Sequence, residues 1–190
     1  MPRTVRVEVS ARHIHLSAAH VERLFGRGHV LRSARKISQP GQFATAETVT
    51  VVGPRGRLEG VRIIGPAREA SQVELTVTEA RRLGIKPVFR LSHEHTGTPG
   101  CTLIGPRGRV RLTKGVIISL RHLHVAPEEA RRLKLRHHQH ISIAVKGPRA
   151  VRFDNVIVEA RPGVDRESFM LDTDEANAAG LKGGERGVIV

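Results

Sequence analysis

Ser10-Ala11-Arg12-His13-Ile14-His15-Leu16 returns 109 residues later as Ser119-Leu120-Arg121-His122-Leu123-His124-Val125, and this recurrence decides how the chain divides. Other units recur around it. Gly53-Pro54-Arg55-Gly56-Arg57 returns as Gly105-Pro106-Arg107-Gly108-Arg109, each copy after an apolar run, Val49-Thr50-Val51-Val52 and Cys101-Thr102-Leu103-Ile104. Gly-Pro followed by Arg-Gly is turn chemistry, so each copy predicts a strand–turn–strand hairpin. A third unit appears as Thr78-Glu79-Ala80-Arg81-Arg82-Leu83-Gly84-Ile85, as Pro127-Glu128-Glu129-Ala130-Arg131-Arg132-Leu133, and as Asp174-Glu175-Ala176-Asn177-Ala178-Ala179-Gly180-Leu181. Each copy opens on a cap or first-position signal (Thr78, Pro127, Asp174), keeps acids in its first turn and stops after about two turns, the pattern of a short helix. The last two are followed by alternating strands, His140–Val145 and Arg186–Val190.

Short strands joined by Gly/Pro turns, with brief helices as plugs, predict a mainly β protein with short helices: two related small closed β-barrels capped by short α-helices. None of the helical signals is long enough for a regular βαβ crossover. No low-complexity linker separates the two repeats, so a tight interface is expected, with the active site between the lobes.

Composition narrows the function classes. A length of 190 residues, 39% hydrophobic and 26% charged, is that of a globular chain with a real core. No apolar run approaches a membrane span, and Met1–Ser10 alternates polar and apolar residues like a strand, without a signal-peptide core. One cysteine, Cys101, cannot form an intramolecular disulfide and fits a reducing compartment; it reads as structural. The expected location is cytoplasmic. The net charge of +14 favours phosphorylated partners. The basic residues are nevertheless scattered, and with no Trp or Tyr and five Phe the stacking platforms of a single-strand binder are nearly absent. A polyanionic small molecule suits the charge as well as nucleic acid does.

On a strand, residues i and i+2 share a face. His13 with His15, and His122 with His124, therefore each present two imidazoles together, half of a tetrahedral metal shell. A candidate carboxylate lies in Gln72-Val73-Glu74-Leu75-Thr76, where alternation puts Gln72, Glu74 and Thr76 on one face and the apolar residues on the other. Arg68 precedes that strand in a loop after Gly65-Pro66. His137, His138 and His140 read as a solvated cluster in a turn.

The ordered set Arg12-His13-Ile14-His15-Leu16, Ser38-Gln39-Pro40-Gly41-Gln42-Phe43-Ala44-Thr45, Gly65-Pro66-Ala67-Arg68, Gln72-Val73-Glu74, Arg121-His122-Leu123-His124 with Pro127-Glu128-Glu129-Ala130, and Asp172-Thr173-Asp174-Glu175-Ala176-Asn177 spans nearly the whole chain. It resembles the PduL family of phosphate acyltransferases (phosphotransacylases). The resemblance implies interconversion of acyl-CoA plus inorganic phosphate with acyl-phosphate plus CoA. It implies two β-barrel lobes, one of residues 1–11 with 120–190 and one of residues 12–119. It also implies two zinc sites. The first maps onto His13, His15 and Glu74, the catalytic arginine onto Arg68, and substrate-binding glutamines onto Gln42 and Gln72. The second maps onto His122 and His124 plus a third histidine two residues before the Asp-Thr-Asp motif.

That third position is Met170 here, and thioether sulfur is a poor zinc ligand. His93, His95, Asp172 or water are the substitutes to consider, and the segment Ser92-His93-Glu94-His95 also departs from the family's Ser-Gly-Asp. The expected partners are acyl-CoA and inorganic phosphate, with a homodimer allowed and no membrane. Family members of microcompartments carry an N-terminal targeting extension that is not evident here. Two readings compete with the working enzyme. Met170 favours a divergent metal-binding relative with lost or altered chemistry; the charge favours a basic nucleic-acid-binding or assembly protein on the same scaffold.

Overall fold

The structure is a computed structural model that describes residues 3–164 and 167–190. The chain divides into two compact units, Met1–Ala11 with Leu120–Val190, and Arg12–Ser119, and each has its own apolar core. It is mainly β with short helices, and no helix among the described residues is long and apolar enough to cross a membrane.

The chain starts with β1 (Thr4–Ser10), then enters the central unit with β2 (His13–His15) and α1 (Ala18–Phe25). There follow β3 (Ser33–Lys36), β4 (Phe43–Gly53), β5 (Gly56–Gly65), β6 (Gln72–Leu75), α2 (Val77–Leu83), β7 (Phe89–Arg90), β8 (Cys101–Ile104), β9 (Arg109–Leu112) and β10 (Val116–Ser119). The strands form one sheet in the order β7-β10-β6-β2-β5-β4-β8-β9, with β3 paired to β4. Register shifts in β4 and β3 insert bulges that bend the sheet over its core of Ile14, Val51, Ile63, Val73, Leu103 and Ile118. Where a second closed barrel is expected, the hydrogen-bonded path runs open from β7 to β9. The reason is local. β7 has only two residues, and the segment after it carries left-handed backbone at His93 (φ 77°) and Gly97 (φ 70°), which interrupts an extended strand.

The other unit resumes with β11 (His122–Val125), α3 (Pro127–Arg132), β12 (His140–Val145), β13 (Val151–Ala160), β14 (Ser168–Asp172), α4 (Thr173–Ala179) and β15 (Arg186–Ile189). With β1 these strands close into a six-stranded barrel, β1-β14-β11-β13-β12-β15. The N-terminal strand completes it, parallel to β14 and antiparallel to β15. Alternation fills the interior with Val5, Val7, Leu123, Val125, Val158, Phe169 and Leu171 and turns their neighbours outward.

Two of the helices are capped two residues earlier than the sequence suggests. Thr76 caps α2 and Asp172 caps α4, each with the glutamate at the third helical position reaching back, Glu79 and Glu175. A capping box needs that three-residue spacing, which Thr78 and Asp174 do not have. Pro127 does open α3, with Ala126 at its cap. Gly84 and Gly180 close α2 and α4 in the left-handed conformation that favours glycine.

The recurring Gly-Pro-Arg-Gly tips explain themselves in this setting. The Arg55 N–H donates to the Leu83 carbonyl at the end of α2 (2.9 Å), and the Arg107 N–H donates to the Leu24 carbonyl near the end of α1 (3.0 Å). Each hairpin tip thus satisfies a helix-terminal carbonyl that has no partner inside its helix. A Cβ on Gly53 would lie 2.4 Å from the Leu83 oxygen, and one on Gly105 2.6 Å from the Leu24 oxygen, so only glycine fits at either place.

Candidate metal centres

β2 lies between β5 and β6, antiparallel to β6, with His13 opposite Glu74 and His15 opposite Gln72. The intervening Ile14 points into the core, which fixes both imidazoles on the other face together with Glu74. The His13 Nε2 is 3.5 Å and the His15 Nε2 4.0 Å from Glu74 Oε1. Ligands about 2.0–2.1 Å from a tetrahedral zinc lie roughly 3.3 Å apart, so small rotamer adjustments bring this donor set to coordinating distance. Protonation also fits. His15 is 2% exposed, and burial, then His13 and Arg68, hold its imidazole down at about 2, so it is neutral at physiological pH. Its Nδ1 is 3.1 Å from the Ile64 carbonyl, which can only accept, so Nδ1 carries the proton and Nε2 presents the lone pair.

Arg68 stands beside this group. Its backbone N–H donates to the Leu16 carbonyl (2.8 Å) and it bridges to Ser17. The loop is pinned again by Ser71, whose Oγ accepts from the Ser17 N–H (2.9 Å) and lies 2.7 Å from His20 Nδ1. The guanidinium donates from NH1 to Ser92 Oγ and from NH2 to Gln42 Oε1, both at 3.2 Å. Buried Gln72 links arginine and carboxylate, because its Nε2 donates to Glu74 Oε1 (2.7 Å) and to Ser92 Oγ (3.0 Å). Its Oε1 accepts from the His93 N–H (2.7 Å) and lies 2.9 Å from His95 Nε2, which must therefore be the protonated nitrogen. Burial, then Lys114 and Arg68, lower His95 below the ordinary imidazole range. His13, His15, Glu74, Arg68, Gln42 and Gln72 are thus brought together in the central unit. The Ser71–His20 anchor carries no motif and is not visible in the sequence.

A second group forms on the outer face of the barrel. β11 lies between β13 and β14, and the ligand atoms of His122, His124 and Glu159 all fall within 4.8 Å of one another. The His122 Nδ1 donates to the Leu120 carbonyl (2.7 Å), so Nε2 is the nitrogen that would carry a metal, as for His15. The His124 Nε2 is 3.3 Å from Glu159 Oε2, and Arg161 donates to Glu159 Oε1 at 2.7 Å. Burial raises the Glu159 carboxyl, but the His124 hydrogen bond and the charges of His122 and Arg161 outweigh it and hold the group down at about 2. Met170 stands opposite His122 on β14. Of the substitutes considered for it, His93 and His95 contact Gln72 in the central unit, and Asp172 caps α4, accepting from the Glu175 N–H at 2.8 Å. Glu159 is the carboxylate beside this histidine pair, and sequence reasoning missed it.

The arginine before each His-x-His pair has the same job in both units. Arg12 pairs with Glu79 and Arg121 with Glu175, each at 2.7 Å, and those glutamates are the third helical residues of the two capping boxes. Each His-x-His strand is therefore tied to the start of a helix. Cys101 is buried and its thiol is pushed up to about 12 by burial, which leaves it unreactive. His137, His138 and His140 are exposed, the first two with their rings 3.8 Å apart.

Comparison with known proteins places these features in a family. The family model described as phosphate propanoyltransferase matches residues 6–182. A phosphate propanoyltransferase of Thermotoga maritima is 45% identical over 185 residues, covering 97% of this chain and 88% of that protein. One from Salmonella typhimurium is 45% identical over 179 residues (94% and 84% covered), and one from Enterococcus faecalis is 43% identical over 188 residues (98% and 88% covered). The chain belongs to the phosphate propanoyltransferase family, a family of acyltransferases.

Proposed function

We propose that the protein is a zinc-assisted phosphate acyltransferase that interconverts a short-chain acyl-CoA plus inorganic phosphate with acyl-phosphate plus CoA. The observation that carries this reading is the convergence of an arginine fork with a two-histidine, one-carboxylate donor set. Arg68 is joined through Ser92 and Gln72 to Glu74, which faces His13 and His15.

Each part has a physical task. Phosphate and a thioester react sluggishly in neutral water because the nucleophile is anionic and well solvated. Arg68 binds it with two N–H donors whose directions are set by Ser92 and Gln42, a geometry that matches two phosphate oxygens. Gln72 holds the Glu74 carboxylate in place while its own amide is oriented by His93 and His95. Zinc bound to His13, His15 and Glu74 would supply Lewis-acid stabilisation of the charge that develops on the reacting oxygens. A phosphate oxygen forms a bond to the thioester carbonyl carbon, the C–S bond breaks, and CoA leaves as the thiolate with the electron pair. No side-chain nucleophile is required, and the one cysteine, buried and protonated, is unsuited to that role. The wider basic surface favours approach of the CoA phosphates.

The test is CoA release from acetyl-CoA and propanoyl-CoA, measured before chelation, after chelation and after zinc is returned. Phosphate-dependent release that chelation abolishes and zinc restores supports the reading. Full turnover by protein shown to be metal-free refutes the metal's part in it. A folded, metal-loaded protein without turnover favours the divergent relative, for which the departure at Met170 is the motivating residue.

A further inference from the structure

We infer that Ser71 and His20 are positioning residues of the phosphate clamp: together they pin the loop that carries Arg68 to Ser17, just beyond His15, and so set the arginine relative to the histidine strand. This rests on the proposed reading of Arg68 as the group that binds phosphate.

The loop has few other anchors. Between β5 and β6, Pro66, Ala67, Glu69 and Ala70 are exposed and Arg68 is half-buried, so none of these residues enters the core. Ser92 and Gln42 orient the guanidinium only once the backbone beneath it is placed. That placing is done at the junction of β2 and α1. The Arg68 N–H donates to the Leu16 carbonyl (2.8 Å), and its backbone bridges to Ser17. Ser71, 7% exposed, then accepts from the Ser17 N–H (2.9 Å) and lies 2.7 Å from His20 Nδ1.

The direction of these bonds follows from the donors. The Ser71 hydroxyl has one proton to place, and among the described residues His20 Nδ1 is the one acceptor in reach. Nδ1 therefore offers its lone pair and the ring proton sits on Nε2. Burial lowers His20 below the ordinary imidazole range, which keeps the ring neutral and able to accept. The histidine is held in turn by its own helix, because Ser17 Oγ caps α1 by accepting from the His20 N–H (3.4 Å). Ser17, Ser71 and His20 thus close a ring of hydrogen bonds joining the end of the histidine strand, the start of α1 and the arginine loop.

The barrel keeps the first anchor and lacks this ring. Arg161 follows β13 as Arg68 follows β5, and its N–H donates to the carbonyl of Val125 (3.0 Å), the counterpart of Leu16 109 residues on. Ala126 stands in the place of Ser17 and Glu129 in that of His20. Ala126 caps α3 without a side-chain hydrogen bond, and Glu129 pairs with Arg132. The Arg161 guanidinium turns to its neighbour Glu159. The ring thus accompanies the arginine that is aimed at Gln42 and Ser92.

The experiment uses the full, zinc-loaded chain. Phosphate binding is measured by calorimetry without thioester, and CoA release from propanoyl-CoA is followed across a phosphate titration. Ser71→Ala and His20→Ala should each weaken phosphate binding and raise the phosphate KM roughly five- to twentyfold. The propanoyl-CoA KM, and kcat at saturating phosphate, should stay within about twofold of the wild type, with zinc content unchanged. His20→Asn offers Oδ1 where Nδ1 stood and should bring phosphate affinity back close to the wild type. If Ser71→Ala folds poorly by circular dichroism, His20→Ala and His20→Asn decide alone, since His20 is half-buried on a helix. The inference is overturned if the alanine variants bind phosphate as the wild type does, or lose phosphate and propanoyl-CoA affinity alike. It is equally overturned if His20→Asn is no better than His20→Ala, or if Arg68→Lys leaves phosphate binding unchanged. Phosphate binding that follows the expected order without any CoA release would sink the proposed function and leave this inference standing; phosphate-dependent CoA release indifferent to Ser71 and His20 would do the reverse.

Discussion

Replacing Arg68 by lysine separates charge from geometry at the proposed phosphate clamp. The guanidinium is aimed by two contacts of 3.2 Å, NH1 to Ser92 Oγ and NH2 to Gln42 Oε1. A lysine ammonium keeps the positive charge but is one point donor on a flexible stem, and it cannot serve two phosphate oxygens in a plane. The loss is about one charge-assisted hydrogen bond, roughly 1.5–3 kcal/mol, or about ten- to a hundredfold in rate at 1.4 kcal/mol per decade. The fold should survive, because the loop is anchored by the Arg68 backbone N–H on the Leu16 carbonyl and by Ser71, neither of which involves the side chain. The assay is CoA release from propanoyl-CoA across a phosphate titration, with circular dichroism and metal content as controls. Arg68→Lys should lower kcat/KM for phosphate by about that factor at unchanged metal content. Kinetics equal to the wild type would show that Arg68 is an ordinary loop residue and remove it from the mechanism.

Three further outcomes follow from particular residues. His15 has its folded-state pKa held far below the ordinary 6.5, at about 2, so in metal-free protein the unfolded chain takes up a proton that the folded chain refuses throughout that window. Stability should therefore fall as pH drops from about 6.5 towards 2, by up to about 1.4 kcal/mol per pH unit, and His15→Asn should flatten the slope of denaturant midpoint against pH; an unchanged slope would contradict this. Gly53→Ala should destabilise the central unit by about 1–3 kcal/mol because its Cβ would lie 2.4 Å from the Leu83 carbonyl, whereas Gly56→Ala, with its nearest atom at 3.3 Å, should cost less; equal denaturation midpoints would refute the tip-on-helix account. Cys101 should resist alkylation in the native protein at pH 8 and react only on unfolding, as a mass-spectrometric time course would show; rapid native labelling would contradict its burial.

What could be read from residues alone was what local chemistry determines. Alternation on short strands was enough to pair His13 with His15, His122 with His124, and Gln72 with Glu74, because a two-residue period admits one arrangement of faces. The Gly-Pro-Arg-Gly tips announced hairpins, but not that each would close the end of a helix, since that contact joins Arg55 to Leu83 and Arg107 to Leu24 across the sequence. Helix α1 escaped notice because its Ser17 cap follows the histidine strand almost at once and only Val21 and Leu24 bury an apolar stripe. Sheet closure depends on pairing at the sheet ends, which repeats do not encode; the same repeats accompany one closed barrel and one open sheet. Glu159 was hidden for a related reason. It sits in the strand Val156-Ile157-Val158-Glu159-Ala160, and only the parallel register with β11 sets it against His124.

The most direct test of the central claim follows the phosphorus. Propanoyl-CoA, inorganic phosphate and zinc-loaded protein are monitored by 31P NMR while free CoA is titrated in the same sample. If phosphate attacks the thioester, an acyl-phosphate resonance grows in step with CoA, one for one, and disappears when the products are driven back. CoA released at the same rate without phosphate, with free propanoate and no acyl-phosphate, would make the protein a thioester hydrolase and contradict the account.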